Sequence, residues 1–205
     1  VARLEVQGAI ASIRGWSVSA PLLAPRADWA AGRSNPALKH TGQHVPYALV
    51  GVISPWNFPL TLSLIDAIPA LAAGCAVIVK PSEVTPRFAE PLTRTLETAG
   101  LGDLIAFTPG AGETGQQIIE RCDLICFTGS VATGKKVAAA AAARLIPAFL
   151  ELGGKDPLII TRTADLDLAV TAALHGSVIS TFHAIKTIDR SHVETAVHEP
   201  FLFRL

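Results

Sequence analysis

From residue 47 onward, short runs of apolar and β-branched residues alternate with longer segments that are typical of helices. The short runs predict strands at 48–54, 76–80, 104–108, 124–128, 149–151 and 158–160. The longer segments predict helices at 60–73, 86–99, 114–121, 131–144 and 165–180. Strands and helices that alternate with short turns predict βαβ units. The fold class expected is therefore α/β, with a parallel sheet covered by helices on both faces.

The first 40 residues follow no sustained period. Their scattered apolar positions are interrupted by Gly15, Pro21, Pro25 and Pro36. This pattern predicts an incomplete helix followed by a connector.

Residues 58–79 imitate a membrane span, because they contain a single charged residue over a length close to that of a bilayer-crossing helix. Asp66 and Pro69 lie near the middle of this stretch, and a glycine follows at Gly74. These features favour a buried helix followed by a buried strand, so no membrane partner is expected.

Composition narrows the class of partner. Only 17% of residues are charged, and 17 basic residues balance 17 acidic ones. This balance argues against a nucleic-acid or polybasic membrane surface and favours a small molecule or another protein as partner. Three cysteines in apolar surroundings, with no CxxC pair or His/Cys cluster, indicate reduced thiols in a cytoplasmic protein without a metal site. The missing methionine and the start at Val1 suggest an excerpt of a longer sequence.

A GxGxxG match runs from Gly110 to Gly115, between a predicted strand and a predicted helix. Glycines at these positions permit a pyrophosphate to approach the start of a helix. A plain glycine-rich turn is the alternative, and no acidic residue stands at the usual later strand end to support the nucleotide interpretation.

A second turn, Phe127-Thr128-Gly129-Ser130, also connects a strand to a helix. Its backbone N–H groups and the Ser130 hydroxyl are suited to a phosphate. A capped helix start explains the same residues equally well, and the spacing is not that of a P-loop.

The turn Lys80-Pro81-Ser82-Glu83 places a cation and a carboxylate three residues apart after a strand. Such a pair can hydrogen-bond ribose hydroxyls, while the carboxylate would repel a 2′-phosphate, so NAD is favoured over NADP. The alternative is a surface ion pair beside a helix that Ser82 or Thr85 caps.

Two further turns contain groups suited to acyl chemistry. The prolines of Pro55-Trp56-Asn57-Phe58-Pro59 stiffen a turn from which the Asn57 amide could donate to an oxyanion. Glu151 ends a predicted strand beside two glycines, where it could act as a general base. A capping asparagine and a generic exposed glutamate are the alternatives.

In order and spacing, the segments PWNFP, KPSE, FTGS and ELGGK resemble the aldehyde dehydrogenase superfamily, in which all four motifs occur in this order. The resemblance is thin before Val45. It implies an N-terminal helix and connector over 1–45, a Rossmann-like NAD-binding domain over 46–152 and the beginning of a catalytic domain over 153–205. It also implies a homo-oligomer in the full-length form.

By this resemblance Asn57 is the oxyanion amide, Glu151 is the general base, and NAD(P)⁺ accepts a hydride from an aldehyde bound as a cysteine thioester. The family's cofactor contacts fall on Ser54, Trp56, Lys80, Ser82, Glu83, Gly110, Gly115, Phe127, Gly129, Ser130, Leu152 and Gly153. The two residues of the GxGxxG match have only a supporting place near the adenine.

The family's catalytic cysteine falls on Ile185, and isoleucine cannot form a thioester. We expect none of the three cysteines of the chain to replace it, and His183 is more typical of a structural or solvated loop residue. Two hypotheses follow. The sequence is an excerpt or degraded copy of an aldehyde dehydrogenase, or it is an NAD-binding module without catalytic activity.

Overall fold

The computed structural model describes residues 2–23, 28–178 and 188–205. The chain divides into two compact units, the first ending at Glu151 and the second running from Leu152 to Leu205. Each unit has its own buried core.

The first unit opens with helix α1 (Ala2–Leu23) and the short antiparallel strands β1 (Ala30–Ala31) and β2 (Lys39–His40). Five strands then form one sheet: β3 (Leu49–Ile53), β4 (Ala76–Lys80), β5 (Ile105–Phe107), β6 (Leu124–Gly129) and β7 (Ala148–Leu152). Their order is β5-β4-β3-β6-β7, and the pairs β3–β4, β4–β5 and β3–β6 are parallel. The intervening helices are α2 (Pro59–Ala72), α3 (Ala89–Thr98), α4 (Gly112–Arg121) and α5 (Val131–Ala143).

Alternation along β3 assigns the helices to the two faces of the sheet. Val50 and Val52 pack into one apolar cluster with Ala67 of α2. The intervening Gly51 faces α4 so closely that a Cβ atom there would lie 2.6 Å from Ile118 Cγ2. Helices therefore cover both faces, as the alternating sequence pattern predicts.

The predicted strands and helices all occur, with ends shifted by at most three residues; residues 179 and 180 of the last predicted helix lie outside the described residues. The helix predicted at 86–99 starts with a 3-10 turn at Pro86–Phe88 before α3. The apparent membrane span is α2 followed by β4, and α2 ends before Gly74, whose φ of 94° favours glycine. None of the helices within the described ranges has both the length and the apolar character needed to cross a membrane.

For the first 40 residues the sequence predicts an incomplete helix and a connector without bounds; the helix is α1, which is continuous over 22 residues. Its large apolar residues are mostly exposed, including Leu4, Val18 and Leu22, so they form no regular buried stripe that a periodic pattern could reveal.

The second unit contains β8 (Asp156–Ile160), α6 (Leu166–Val178), β9 (Ile188–Val193) and α7 (Thr195–Arg204). Strands β8 and β9 are parallel. Its core is small, with Ile160, Val170, Ala173 and Phe201 buried. The sequence did not predict β9 or α7.

Candidate functional site

The strand order of the first unit creates a topological switch point. The chain moves from β3 outward through β4 to β5, then crosses over to β6 on the other side of β3. Ile53 pairs with Lys80 in β4 and with Phe127 in β6, so the carboxyl ends of these three strands are level. Ligands of doubly wound sheets bind at such a crevice.

The segment after β3 begins with Ser54, which is buried and whose hydroxyl lies 2.7 Å from that of Ser63 in α2. The Ser54 N–H also donates to the Lys80 carbonyl at 3.1 Å, which holds the ends of β3 and β4 together. Trp56 is 42% exposed, and Asn57 is half-buried just before α2. The structure thus places the proposed oxyanion amide at the switch point.

Lys80 and Glu83 form an ion pair, with 3.2 Å between Nζ and Oε2. The lysine is buried with 5% of its surface exposed, whereas the glutamate side chain is 60% exposed. A backbone N–H and the Lys80 ammonium stabilise the carboxylate and lower the pKa of Glu83. The pair is therefore anchored in the core at one end and presents a carboxylate at the other, which differs from a fully exposed surface ion pair.

Ser82 and Thr85 organise this turn without capping the helix that follows. The Ser82 Oγ accepts from the Val84 N–H at 3.3 Å. The Thr85 hydroxyl donates to the Trp56 carbonyl at 2.9 Å, and its side chain makes no cap hydrogen bond to the 3-10 turn. The capping alternative for these two residues was therefore wrong.

Ser130 does cap a helix, because its hydroxyl accepts from the Thr133 N–H at 3.3 Å at the start of α5. Phe127 is buried, and a Cβ atom at Gly129 would lie 2.7 Å from its ring. The capped-start interpretation of this turn holds, and the exposed Ser130 still stands at the positive end of a helix dipole.

The GxGxxG match lies at the start of α4, beside the buried Lys80. A Cβ atom at Gly110 would lie 2.0 Å from Thr114 Oγ1, and α4 begins two residues later. Gly115 is buried against the side chains of Ile53 and Lys80, at 3.7 and 3.8 Å from a Cβ atom built on it. Gly115 therefore packs beside the stem of the buried lysine, at distances that a methyl group could also occupy.

Glu151 is exposed near the end of β7. Its carboxylate contributes, after burial, to a raised pKa of Asp66 in α2. Asp66 in turn contributes, after burial, to raising the pKa of the Cys126 thiol to about 12. In the sequence, Asp66 stands out as a lone charge in an apolar helix. The sequence did not indicate that it would interact with Glu151.

Glu5 of α1 was not predicted from the sequence. Its buried carboxylate accepts hydrogen bonds from the N–H groups of Leu60 and Thr61 at the start of α2. Leu152 is the half-buried last residue of β7, and Gly153 follows it and is exposed. Ile185 and His183 lie outside the described residues.

A doubly wound parallel sheet with a cation, a carboxylate and a capped helix start around its switch point is typical of nucleotide-binding α/β proteins. The aldehyde dehydrogenase family model matches residues 2–205. The chain belongs to the aldehyde dehydrogenase family.

Similar proteins cover the chain more fully than the chain covers them. A Mycolicibacterium smegmatis protein named succinate-semialdehyde dehydrogenase, NADP(+), is 46% identical over 80% of this chain, which spans 32% of that protein. The solved structure of a protein named aldehyde dehydrogenase PutA from Anabaena variabilis has 50% identity and a TM-score of 0.94, covering 98% of this chain and 43% of its own. A 3,6-anhydro-L-galactose dehydrogenase solved with NAP is 29% identical, with a TM-score of 0.90 and coverages of 98% and 42%.

These names correct one expectation. Glu83 led the sequence analysis to favour NAD over NADP, yet NADP(+) appears in the name of the mycobacterial relative, and one similar structure holds NAP. The aldehyde dehydrogenase family uses NAD(P), and these similar proteins give no reason to favour NAD over NADP. The physical reason is that Glu83 is largely exposed and paired with Lys80, so its charge is partly neutralised and screened.

Proposed function

We propose that this chain binds NAD(P)⁺ at the carboxyl ends of β3, β4 and β6 and serves the oxidation of an aldehyde. The observation that carries the proposal is the Lys80–Glu83 pair, anchored in the core and level with the switch point. The chain spans about one third of the length of the M. smegmatis relative. The oxidation reaction of such longer proteins is therefore a proposal for this chain.

The residues fit a dinucleotide. The Lys80 ammonium is a donor and the Glu83 carboxylate an acceptor, which is the pair that vicinal ribose hydroxyls require. The exposed start of α5 beside Ser130 is suited to a phosphate, and glycine is needed at 129 because a Cβ atom there would lie 2.7 Å from the ring of Phe127. When bound, the nicotinamide ring would accept a hydride from the substrate.

In this proposal Asn57 stabilises an oxyanion and Glu151 acts as a general base. The Asn57 amide would donate a hydrogen bond to the oxygen that gains negative charge during attack on the aldehyde carbonyl. Glu151 would accept a proton from a water molecule. Its exposure on β7 leaves the carboxylate accessible to water.

The nucleophile is where this chain departs from its family. Isoleucine at 185 offers no thiol. Burial and the neighbouring Asp66 raise the pKa of Cys126 to about 12, and burial raises that of Cys122 to about 11, so neither supplies a thiolate near neutral pH. This observation favours a second candidate function, an NAD(P)-binding module that does not complete the thioester chemistry.

The substrate is proposed only as an aldehyde. Similar proteins are named for different ones, a succinate semialdehyde in one case and 4,4'-diapolycopene aldehyde in another. Discrimination among aldehydes depends on the shape of the binding pocket, and small apolar differences change the binding free energy by only about 1–3 kcal/mol.

Calorimetric titration of the purified chain with NAD⁺ and, separately, with NADP⁺ tests the proposal. We expect saturable binding of at least one dinucleotide and weaker NAD⁺ binding by Glu83→Ala. The matched control is Glu90→Ala, which removes an exposed carboxylate from α3. Absence of binding by a folded sample would refute the proposal. Stronger NADP⁺ binding by Glu83→Ala would show that the carboxylate opposes the 2′-phosphate.

A further inference from the structure

The segment between β3 and α2, which carries Asn57, is held at both of its ends. At the strand end, the buried hydroxyls of Ser54 and Ser63 are 2.7 Å apart. Between these residues the backbone makes the turn of Pro55 and Trp56 before entering the helix. Two distant parts of the chain, α1 and the turn after β4, also form hydrogen bonds with this short segment.

The first attachment comes from α1. The residue preceding α2, Phe58, provides no side-chain cap. Instead one oxygen of the Glu5 carboxylate accepts from the N–H groups of Leu60 and Thr61, both at 3.0 Å. The first N–H groups of a helix have no partner within the helix, so Glu5 satisfies two of them and places a negative charge at the positive end of α2. With only 9% of its surface exposed, Glu5 is restricted in its movement.

The second attachment comes from the turn after β4. The Thr85 hydroxyl donates to the Trp56 carbonyl at 2.9 Å, across 29 positions of sequence. Trp56 immediately precedes Asn57. The same turn contains Glu83, and it is stabilised internally by the Ser82 hydroxyl, which accepts from the Val84 N–H. The turn with the proposed ribose contacts is thereby hydrogen-bonded to the turn with the oxyanion amide.

We propose that Glu5 and Thr85 are positioning residues that together fix the backbone of Asn57, Thr85 on the strand side and Glu5 on the helix side. Neither residue touches substrate or cofactor in this proposal. Its consequence for catalysis rests on the proposed function, but the positional effect on Asn57 does not.

The positional effect is tested by the NMR resonances of the Asn57 side-chain amide in the purified chain. Thr85→Val keeps the shape of the side chain and removes the donor, so we expect these resonances to shift, and we expect Thr85→Ser to restore them. The matched control is Thr95→Val, which removes a similar hydroxyl bond to Pro91 O on the exposed surface of α3. Unchanged Asn57 resonances in Thr85→Val, or an equal shift in Thr95→Val, would overturn the proposal.

Glu5 is tested separately, so that one poorly folding variant does not decide the matter. Glu5→Gln keeps an oxygen acceptor without the charge, and Glu5→Ala removes both. We expect hydrogen exchange at the Leu60 and Thr61 amides to accelerate in Glu5→Ala, with a shift of the Asn57 resonances, and we expect Glu5→Gln to lie between it and the wild type. Glu90→Gln on α3 is the control. Protection of both amides that is unchanged in Glu5→Ala would contradict the proposal.

An activity measurement on the same variants separates this inference from the proposed function. If the chain oxidises aldehydes, Thr85→Val should lower kcat about tenfold, since small displacements of a reacting group have large effects on rate. The dissociation constant for NAD(P)⁺ should stay within about twofold, because the cofactor contacts remain. Weakened cofactor binding with unchanged kcat would overturn the catalytic consequence. If the parent chain shows no turnover, catalysis by this chain fails, while the resonance and exchange measurements still decide the positions of Glu5 and Thr85.

Discussion

Lys80 and Glu83 are three positions apart in sequence but lie in different environments. Lys80 is buried beside Gly115, whereas Glu83 extends into solvent. Removing the carboxylate leaves a buried ammonium that still donates to the Pro81 carbonyl at 3.2 Å but has lost its anionic partner. An unpaired buried charge is unfavourable, so the contribution of Glu83 to stability exceeds that of an ordinary surface residue.

The lowered pKa of Glu83 predicts a dependence of stability on pH. A carboxyl whose pKa is lower in the folded chain stabilises the fold above its unfolded pKa, and this contribution is lost as the pH falls through the lowered value. The difference in unfolding free energy between wild type and Glu83→Gln should therefore be largest near neutral pH and shrink below about pH 4.5, the ordinary pKa of a glutamate side chain. Urea denaturation of both chains at several pH values measures it. A difference that stays constant down to pH 3 would contradict the assignment.

The buried thiols provide a second residue-scale prediction. Because the thiolate is the reactive form, raised pKa values of about 12 for Cys126 and about 11 for Cys122 leave very little of either thiol ionised at pH 8. We expect iodoacetamide to label both residues slowly in the native chain and rapidly in 6 M guanidinium, as followed by mass spectrometry of peptides. Fast native labelling of Cys126 would show an accessible thiolate and would reopen the question of the nucleophile.

Local sequence predicts part of this site and long-range packing decides the rest. The Lys80–Glu83 pairing and the Ser130 cap follow from spacings of three residues, which turns and helix starts fix locally. The bond from Glu5 to Leu60 spans 55 positions. It depends on how α1 packs on α2, which no local pattern encodes.

At the scale of elements, predictability follows burial. Strand β4 is found at the predicted bounds, because buried β-branched residues fill it. The two-residue strands β1 and β2 are wholly exposed and give no pattern to recognise. Helix α1 is long, yet Gly8, Gly15 and Pro21 lie within it, and packing against α2 compensates for its weak intrinsic preference.

Gly51 tests the packing of α4 on the sheet. A methyl group there would approach Ile118, Ile125 and Cys122 at 2.6–2.9 Å, so Gly51→Ala should reduce the free energy of unfolding by about 1–3 kcal/mol. The matched control is Gly8→Ala in α1, where a Cβ atom meets nothing within 4 Å and alanine should stabilise the helix by about 0.5–1 kcal/mol. Chemical denaturation of the three chains gives both values. Equal stabilities of Gly51→Ala and wild type would mean that α4 packs less closely than described.

The whole molecule consists of two units with unequal cores. The first buries a large apolar cluster between the sheet and α2, while the second buries four apolar residues among those that the structure describes. The second unit also exposes several large apolar side chains, including Ile159, Leu168 and Phe203, the last 94% exposed. Exposed apolar surface of this kind promotes association, and a core of four residues contributes little to stability.

We therefore predict that residues 1–151 fold in isolation and that residues 152–205 do not. The first piece retains the whole core around β3 and the proposed cofactor residues Lys80, Glu83 and Ser130, so it should unfold cooperatively. Circular dichroism during thermal unfolding measures this for each piece, and calorimetry with NAD⁺ and NADP⁺ compares the first piece with the whole chain. Dinucleotide affinity within about threefold of the whole chain would place the binding determinants in the first unit, since a threefold change is less than 1 kcal/mol. Loss of binding by a cooperatively folded piece would instead show that residues after Glu151, such as Leu152 and Gly153, are required for cofactor recognition.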